Sequence, residues 1–347
     1  MHAYGAEKLN IRYHGDLYRL YIPRRNGDPI SFIQEIEPRI GGDAGLQKLF
    51  AGLQSLGYRY GLYTGHTLLS PLSYDVWDED YLTRNSDGNW VYGSDAYLQV
   101  KNTRMRELQQ KYNRIFKEKY NPTCSYLDQL TCPPPWRYTD YDIRTPDAGK
   151  FSAPYRNFVE SLRTEINDFG PVLSEGMSQW LFAGICDNYA QPIRVQLHVL
   201  PDFQLRKLHL LSNDCGYHLA VMRNRGTKEP PSKLVYQVLA YTYAYGNTGH
   251  LYGCYSGSPL RNIPDYMIRS YFLIQPMQKF FALIPVRDIL YNLGERLGTV
   301  EDAIKADALK RNQVKIIYEN NAETAVNLNE QENFPIRLHD RDFDLPP

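Results

Sequence analysis

The sequence predicts an α/β protein, a (β/α)8 TIM barrel followed by a small C-terminal β appendage. Three observations carry this. Strand-like and amphipathic helix-like stretches alternate along most of the 347 residues, which is the pattern of parallel strands joined by crossover helices. Neither GxGxxG nor GxxxxGK[ST] occurs, so an open nucleotide-binding sheet lacks its usual marker. Polar or aromatic residues stand at the ends of at least four strand-like runs: Tyr63 and His66, Asp128, Glu175, and His198. In a barrel such ends converge on one mouth, whereas in an open sheet they spread along an edge. The barrel is expected over residues 1–300 and the appendage over 301–347.

The elements follow in order. The run KLNIRYHGD supplies a first strand, with His14 near its end. Residues 41–57 form a helix with Leu46, Leu49, Phe50 and Leu53 on one face and Gly57 as the C-terminal stop. YRYGLYTGH (58–66) is a strand. Residues 102–120 form an amphipathic helix carrying Met105, Leu108, Tyr112, Ile115 and Phe116. TCSYLDQL (123–130) is the next strand, and residues 152–168 the next helix, with Phe158, Val159, Leu162 and Ile166 inward. GPVLSEG (170–176) and IRVQLHVLP (193–201) are strands, 202–213 a short helix, and YHLAVM (217–222) a strand. Residues 232–246 and 265–283 read as helices, the second interrupted by Pro276. VKIIYE and TAVNLN, separated by a polar NNAE turn, form a hairpin. An isolated hairpin is marginal in water, so this one needs a surface to pack on.

Composition narrows the function. Lysine plus arginine equals aspartate plus glutamate at 39 each, which argues against broad electrostatic binding to nucleic acid or an anionic membrane. No apolar run approaches the roughly 20 residues of a membrane span. No signal peptide is visible at the N-terminus. Cytoplasmic location follows by default, and a secreted or periplasmic one if the chain is a fragment. The five cysteines show no CxxC spacing, so free thiols are expected rather than a disulfide framework or a zinc site. The 29 tyrosines exceed twice the 13 phenylalanines; a flat apolar face with a polar tip suits sugar recognition as well as ordinary half-buried packing.

The chemistry centres on two carboxylates. Asp128 closes one strand and Glu175 the next, with one helix between. Consecutive parallel barrel strands are neighbours about 4.8 Å apart. The two carboxylates then fall within the about 5–5.5 Å that a double-displacement glycosidase requires. Asp128, short and set in an apolar strand, is assigned as nucleophile. Glu175, in a glycine-flanked turn that gives reach, is assigned as acid/base. Each has a plainer reading alone: a strand-terminal aspartate caps a turn, and SEG forms a solvated loop. Their placement on adjacent strands favours catalysis.

In this order, LGYRYGLYTGH, DEDYLTRNSDGNW, SYLDQLTCPPPW and GPVLSEGMSQWLFAGICDN resemble the catalytic barrel of the endo-α-N-acetylgalactosaminidase-like glycoside hydrolases. These are distant relations of the α-galactosidase and α-glucosidase barrels. The resemblance covers roughly residues 40–190. It implies a strand-four aspartate nucleophile, matching Asp128, and a strand-five glutamate acid/base, matching Glu175. The YENNAETAVNLN hairpin resembles the start of the β-domain that follows such barrels. Relatives carry a β-sandwich before the barrel, whereas this chain begins almost at the first barrel strand.

Around the pair, Tyr63, His66, Tyr126, Trp136, Trp180, Asp187 and His198 are the candidate substrate-binding residues. The three prolines before Trp136 stiffen its loop and hold the indole either for stacking on a sugar or against the barrel rim. No organic cofactor or metal is expected: His66, His198, His209, His218 and His250 are scattered without HxH or HExxH spacing. SDGNW (86–90) has too few ligands for a calcium loop and reads as a turn. The expected partner is an oligosaccharide or glycoconjugate, cleaved with retention at an α-linkage; oligomeric state is not legible. The rival readings are a carbohydrate-binding protein on a degenerate barrel, and a barrel metallohydrolase.

Overall fold

A computed structural model describes residues 2–13, 36–71, 73, 77–93, 97–176, 178, 181–190, 239–240, 243, 248–249 and 263–347. The chain divides into two compact units. One holds His2 and Glu7–Tyr189, the other Ala3–Ala6 and Ala190–Pro347. The expected strands at 193–201 and 217–222, the helix at 202–213, and His14, Trp180 and His198 lie outside the described residues, as does most of 232–246.

The first unit is built as the alternation predicts. Strand β1 (Asn10–Tyr13) leads through helix α1 (Gly42–Ser55) to β2 (Arg59–Thr64). An excursion carries the short antiparallel strands β3 (Leu68–Leu69) and β4 (Leu98–Gln99) before helix α2 (Asn102–Tyr120). Then follow β5 (Cys124–Leu127), α3 (Ser152–Phe169), β6 (Val172–Glu175) and β7 (Asn188–Ala190). The sheet order is β1-β2-β5-β6-β7, with parallel pairing from β1 through β6. Among the described residues no pairing closes this sheet into a barrel.

The two faces of the sheet differ. Leu62, Leu127 and Val172 point into one core with Leu46, Phe50, Met105, Leu108, Phe116, Phe158 and Leu162 of α1–α3. The alternate residues, Tyr63, Tyr126 and Leu173, are buried but stand outside that cluster. Period-two geometry therefore puts them on the opposite face, away from the helices. Helical periodicity placed α1 correctly, except that Leu49 is 40% exposed. Gly57 follows the cap residue Leu56 and takes the left-handed φ of 74°, the conformation that ends a helix without a Cβ penalty.

Gly61 is required where β2 meets β5, since an added Cβ would land on the Cys124 carbonyl oxygen. Backbone cannot move aside as a flexible side chain does. Gly61→Ala is expected to destabilise the unit by about 3 kcal/mol, the upper part of the overpacking range. A thermal melt checks this; an unchanged midpoint would show that the strands are not so tightly apposed.

The second unit contains α4 (Ile263–Phe281), which runs through Pro276, then β8 (Val286–Asn292), β9 (Leu297–Gly298), α5 (Val300–Lys305), β10 (Gln313–Tyr318), β11 (Glu323–Asn327), β12 (Phe334–Leu338) and β13 (Arg341–Leu345). The expected hairpin is β10–β11, antiparallel from Gln313↔Asn327 to Ile317↔Glu323. It gains its packing surface from an antiparallel sheet in the order β11-β10-β8-β9. The apolar face of that sheet carries Ile289, Tyr291, Val314, Ile316, Tyr318 and Val326. The sheet draws β8 and β9 from before residue 300 and β10 and β11 from after it. No helix among the described residues is long and apolar enough to cross a membrane.

Candidate active site

Strand β5 ends one residue before the carboxylate. The register runs Ser125↔Val172, Tyr126↔Leu173, Leu127↔Ser174, so the next step brings Asp128 beside Glu175. Both share the parity of Tyr126 and Leu173, and so the face turned from the helices. The Asp128 amide still donates to the Thr64 carbonyl, at 2.7 Å. The next residue, Gln129, has a φ of 57°, a left-handed turn that costs a non-glycine residue about 1 kcal/mol or more. The chain thus leaves the sheet abruptly just after Asp128, which is 4% exposed. Glu175, the last residue of β6, is half-buried.

Three side chains, one on β2 and two in the segment after β5, sense both carboxylates. Tyr63 on β2 stacks on Tyr126 with ring centroids 4.4 Å apart and planes 20° from parallel. Burial pushes its phenol far up, the charges of Asp128 and Glu175 reinforce this, and its hydroxyl donates to Asp128. Cys132 is pushed up to about 12, first by burial, then by the charges of Glu175 and Asp128. Tyr138 is raised chiefly by burial, with the charges of Asp128 and Glu175 adding to it. A carboxylate that raises its neighbours this way is close to them and poorly screened.

The described residues after β2 and those after β5 are tied together near this region. A buried ammonium joins them: Lys101 Nζ lies 2.7 Å from Asp142 and 4.0 Å from Asp140. The Arg84 amide donates to Asp140 Oδ1 at 2.9 Å, and Asn102 Nδ2 to the Tyr138 carbonyl at 2.9 Å. Within the segment after β2, SDGNW is a turn closing the Arg84↔Trp90 bridge. Removing one member of a buried ion cluster leaves the others uncompensated. Lys101→Met is therefore expected to lose about 3 kcal/mol or more in urea unfolding; a loss under about 1 kcal/mol would show that the clamp is solvated.

The Asp142 carboxyl is held well below the usual range, first by the Arg144 guanidinium and then by Lys101, against burial. Its stabilising contribution is thus present above the ordinary aspartate value of about 3.9. It is lost as the pH falls through the lower folded value.

The remaining candidates are distributed differently. Tyr63 and Tyr126 lie on the carboxylate face. Trp136 sits in a 3-10 turn, Pro135–Tyr138, directly after the proline run, with 46% of its surface exposed. The His66 imidazole is buried and drawn toward Glu165 of α3, with Nε2 at 3.8 Å from Oε2. Asp187 immediately precedes β7, and its Oδ2 accepts from the Val172 amide at 2.9 Å. Val172 opens β6, so Asp187 lies at the opposite end of the sheet from Glu175. Among the described residues no group of three or more His, Cys, Asp or Glu side chains is placed to hold a metal ion.

Sequence reasoning missed Cys132, Thr131 and Tyr138 as parts of this site. It also missed the buried carboxylate Glu165, which accepts from Ser125, Gln109 and Asn113. Burial raises the Glu165 carboxyl, but the nearby His66 imidazole and the hydrogen bonds from Ser125 and Gln109 outweigh it and hold the group below its ordinary value. A groove lined by Trp77, Tyr81, Glu107, Lys111 and Arg114 lies on the outer side of α2 and has no part in this chemistry.

No protein-family profile and no curated protein matches the chain. Solved structures do match. The α-N-acetylgalactosaminidase NagBb from Bifidobacterium bifidum, in its GalNAc complex, aligns with a TM-score of 0.66 at 13% identity, over 94% of this chain and 49% of that one. The noncanonic maltogenic α-amylase AmyB from Thermotoga neapolitana aligns with a TM-score of 0.59 at 10% identity, over 99% and 95%. The GH36 α-galactosidase AgaA from Geobacillus stearothermophilus aligns with a TM-score of 0.56 at 11% identity, over 100% and 50%. The chain thus has a glycosidase-like fold and spans about half the length of NagBb.

Proposed function

We propose that the five-stranded sheet is part of a closed (β/α)8 barrel and that this barrel is a retaining glycoside hydrolase acting on an α-linked glycoside. The observation that carries the reading is the side-by-side placement of Asp128 and Glu175 at the C-terminal ends of adjacent parallel strands, where barrel enzymes hold their active sites. Asp128 attacks the anomeric carbon while Glu175 gives its proton to the leaving oxygen. Glu175 then takes a proton from water, which displaces Asp128 and restores the starting configuration. The oxocarbenium-like transition state is stabilised by the Asp128 charge in a site of low exposure. Trp136 offers an exposed indole for stacking on a sugar ring.

Turnover of nitrophenyl α-glycosides by the wild type and by Asp128→Ala tests the proposal. The α-N-acetylgalactosaminide and α-galactoside come first, because the structural neighbours include enzymes of those names. Turnover that disappears in the variant supports it. Sugar binding by the wild type without turnover of any member of the panel refutes it and makes the chain a carbohydrate-binding protein.

A further inference from the structure

The groove on the outer side of α2 has a volume of about 650 Å³, within the range of small-ligand sites. Trp77 and Tyr81, from the segment after β2, form one wall. Both are half-buried and packed on the core of the first unit, so their rings are held in place. Gln110, Lys111 and Arg114 of α2 form the other wall and are exposed. A second groove, of about 360 Å³, shares Gln110 and Arg114 with the first and reaches Lys117 and Thr164. Together the two follow α2 from Glu107 to Lys117, about 15 Å of helix. Such an open, elongated depression suits a chain of rings rather than one.

The polar groups narrow the ligand class. The cations Lys111, Arg114 and Lys117 are matched by the carboxylates of Asp78, Glu107, Glu118 and Asp168, so no excess of positive charge selects an anion. Glu107 accepts from Tyr81 Oη at 3.0 Å and pairs with Arg104 at 3.1 Å, and Asp168 accepts from Asn113 Nδ2 at 2.9 Å. The Gln110, Arg114 and Lys117 side chains have no hydrogen-bond or ion-pair partner among the described residues. Sugar hydroxyls both donate and accept, so they can meet this mixture of free donors and carboxylates. The flat face of a sugar ring can stack on Trp77.

We propose that this groove is a second carbohydrate site, which takes a neutral oligosaccharide along the outer side of α2. Asp128 and Glu175 lie on the face of the sheet turned from the helices, so the sheet and α2 stand between the two places. The proposal does not depend on the catalytic reading of either carboxylate.

The chain has four tryptophans, Trp77, Trp90, Trp136 and Trp180. Fluorine NMR of the full chain labelled with fluorotryptophan gives each a resonance, assigned by its loss in the matching tryptophan-to-phenylalanine variant. Titration with maltohexaose, stachyose and cellohexaose is expected to move the Trp77 resonance with at least one of them. Replacing two exposed side chains together, Gln110→Ala and Arg114→Ala, is expected to weaken that binding about tenfold. An unchanged Trp90 resonance shows that this variant is folded. Any movement of Trp136, which the catalytic reading puts against the substrate, should match the wild type. A Trp77 resonance unmoved by every sugar overturns the proposal, as does equal affinity in the wild type and the double variant. Movement with inorganic phosphate as large as with the sugars makes the groove an anion site and overturns it too. The catalytic reading fails separately, by absent glycoside turnover, an outcome that leaves the Trp77 titration intact.

Discussion

Asp128→Ala is expected to lower kcat/KM on an aryl α-glycoside by on the order of 10⁴-fold or more, the scale seen when a reacting side chain is deleted from a preorganised site. Folding is expected to survive, because what holds the position is the backbone bond from Asp128 to Thr64 and the β5–β6 ladder, and alanine keeps both. The loss is specific in kind. In the variant the face of the sugar opposite the leaving group is left without a nucleophile, and a small anion can enter there. Added azide is expected to restore part of the rate and yield the β-glycosyl azide. A variant that retains a tenth of its activity, or that gains nothing from azide while Glu175→Gln is inactive, places the nucleophile elsewhere.

Glu175→Gln is expected to lower turnover of poor leaving groups by about 10²- to 10⁴-fold, the usual range for a general acid/base. The effect depends on the leaving group. A dinitrophenolate departs without protonation, so its release should be nearly unimpaired and the glycosyl-enzyme should accumulate as a burst. Azide then attacks that intermediate from the α face and gives the α-glycosyl azide. The high-pH limb of kcat/KM, which reports loss of the acid proton, should vanish in the variant. Equal losses for good and poor leaving groups would assign Glu175 another role.

The helices and the central strands were legible because burial imposes their periods. The spacing of Met105, Leu108, Tyr112 and Phe116 allows one helical face, and the structure buries all four on α2. The run ending in Asp128 and the run ending in Glu175 were legible as neighbours because parallel pairing with a single crossover leaves few other arrangements. The excursion between β2 and α2 was not legible: β3 and β4 are two residues each, too short to show alternation. The position of Asp187 was not legible, because a carboxylate beside a strand looks the same at either end of it. Only the bond to Val172 identifies the end. Cys132 was read as an ordinary thiol because Glu175 is far along the chain, and the bonds that bring their two segments together involve main-chain carbonyls, which no residue type announces. His66 stood at a strand end, yet its ring turns toward Glu165, a helix residue whose polarity on an inward face was hidden among apolar neighbours.

Peptide mapping by mass spectrometry after reaction with an α-glycosyl fluoride that carries a second, ring-deactivating fluorine tests the central claim most directly. Such a reagent forms the glycosyl-enzyme and then stalls. The arrangement of β5 and β6 predicts one sugar ester-linked to Asp128. An adduct on another carboxylate, or turnover that continues with no covalent adduct at any concentration, would contradict it.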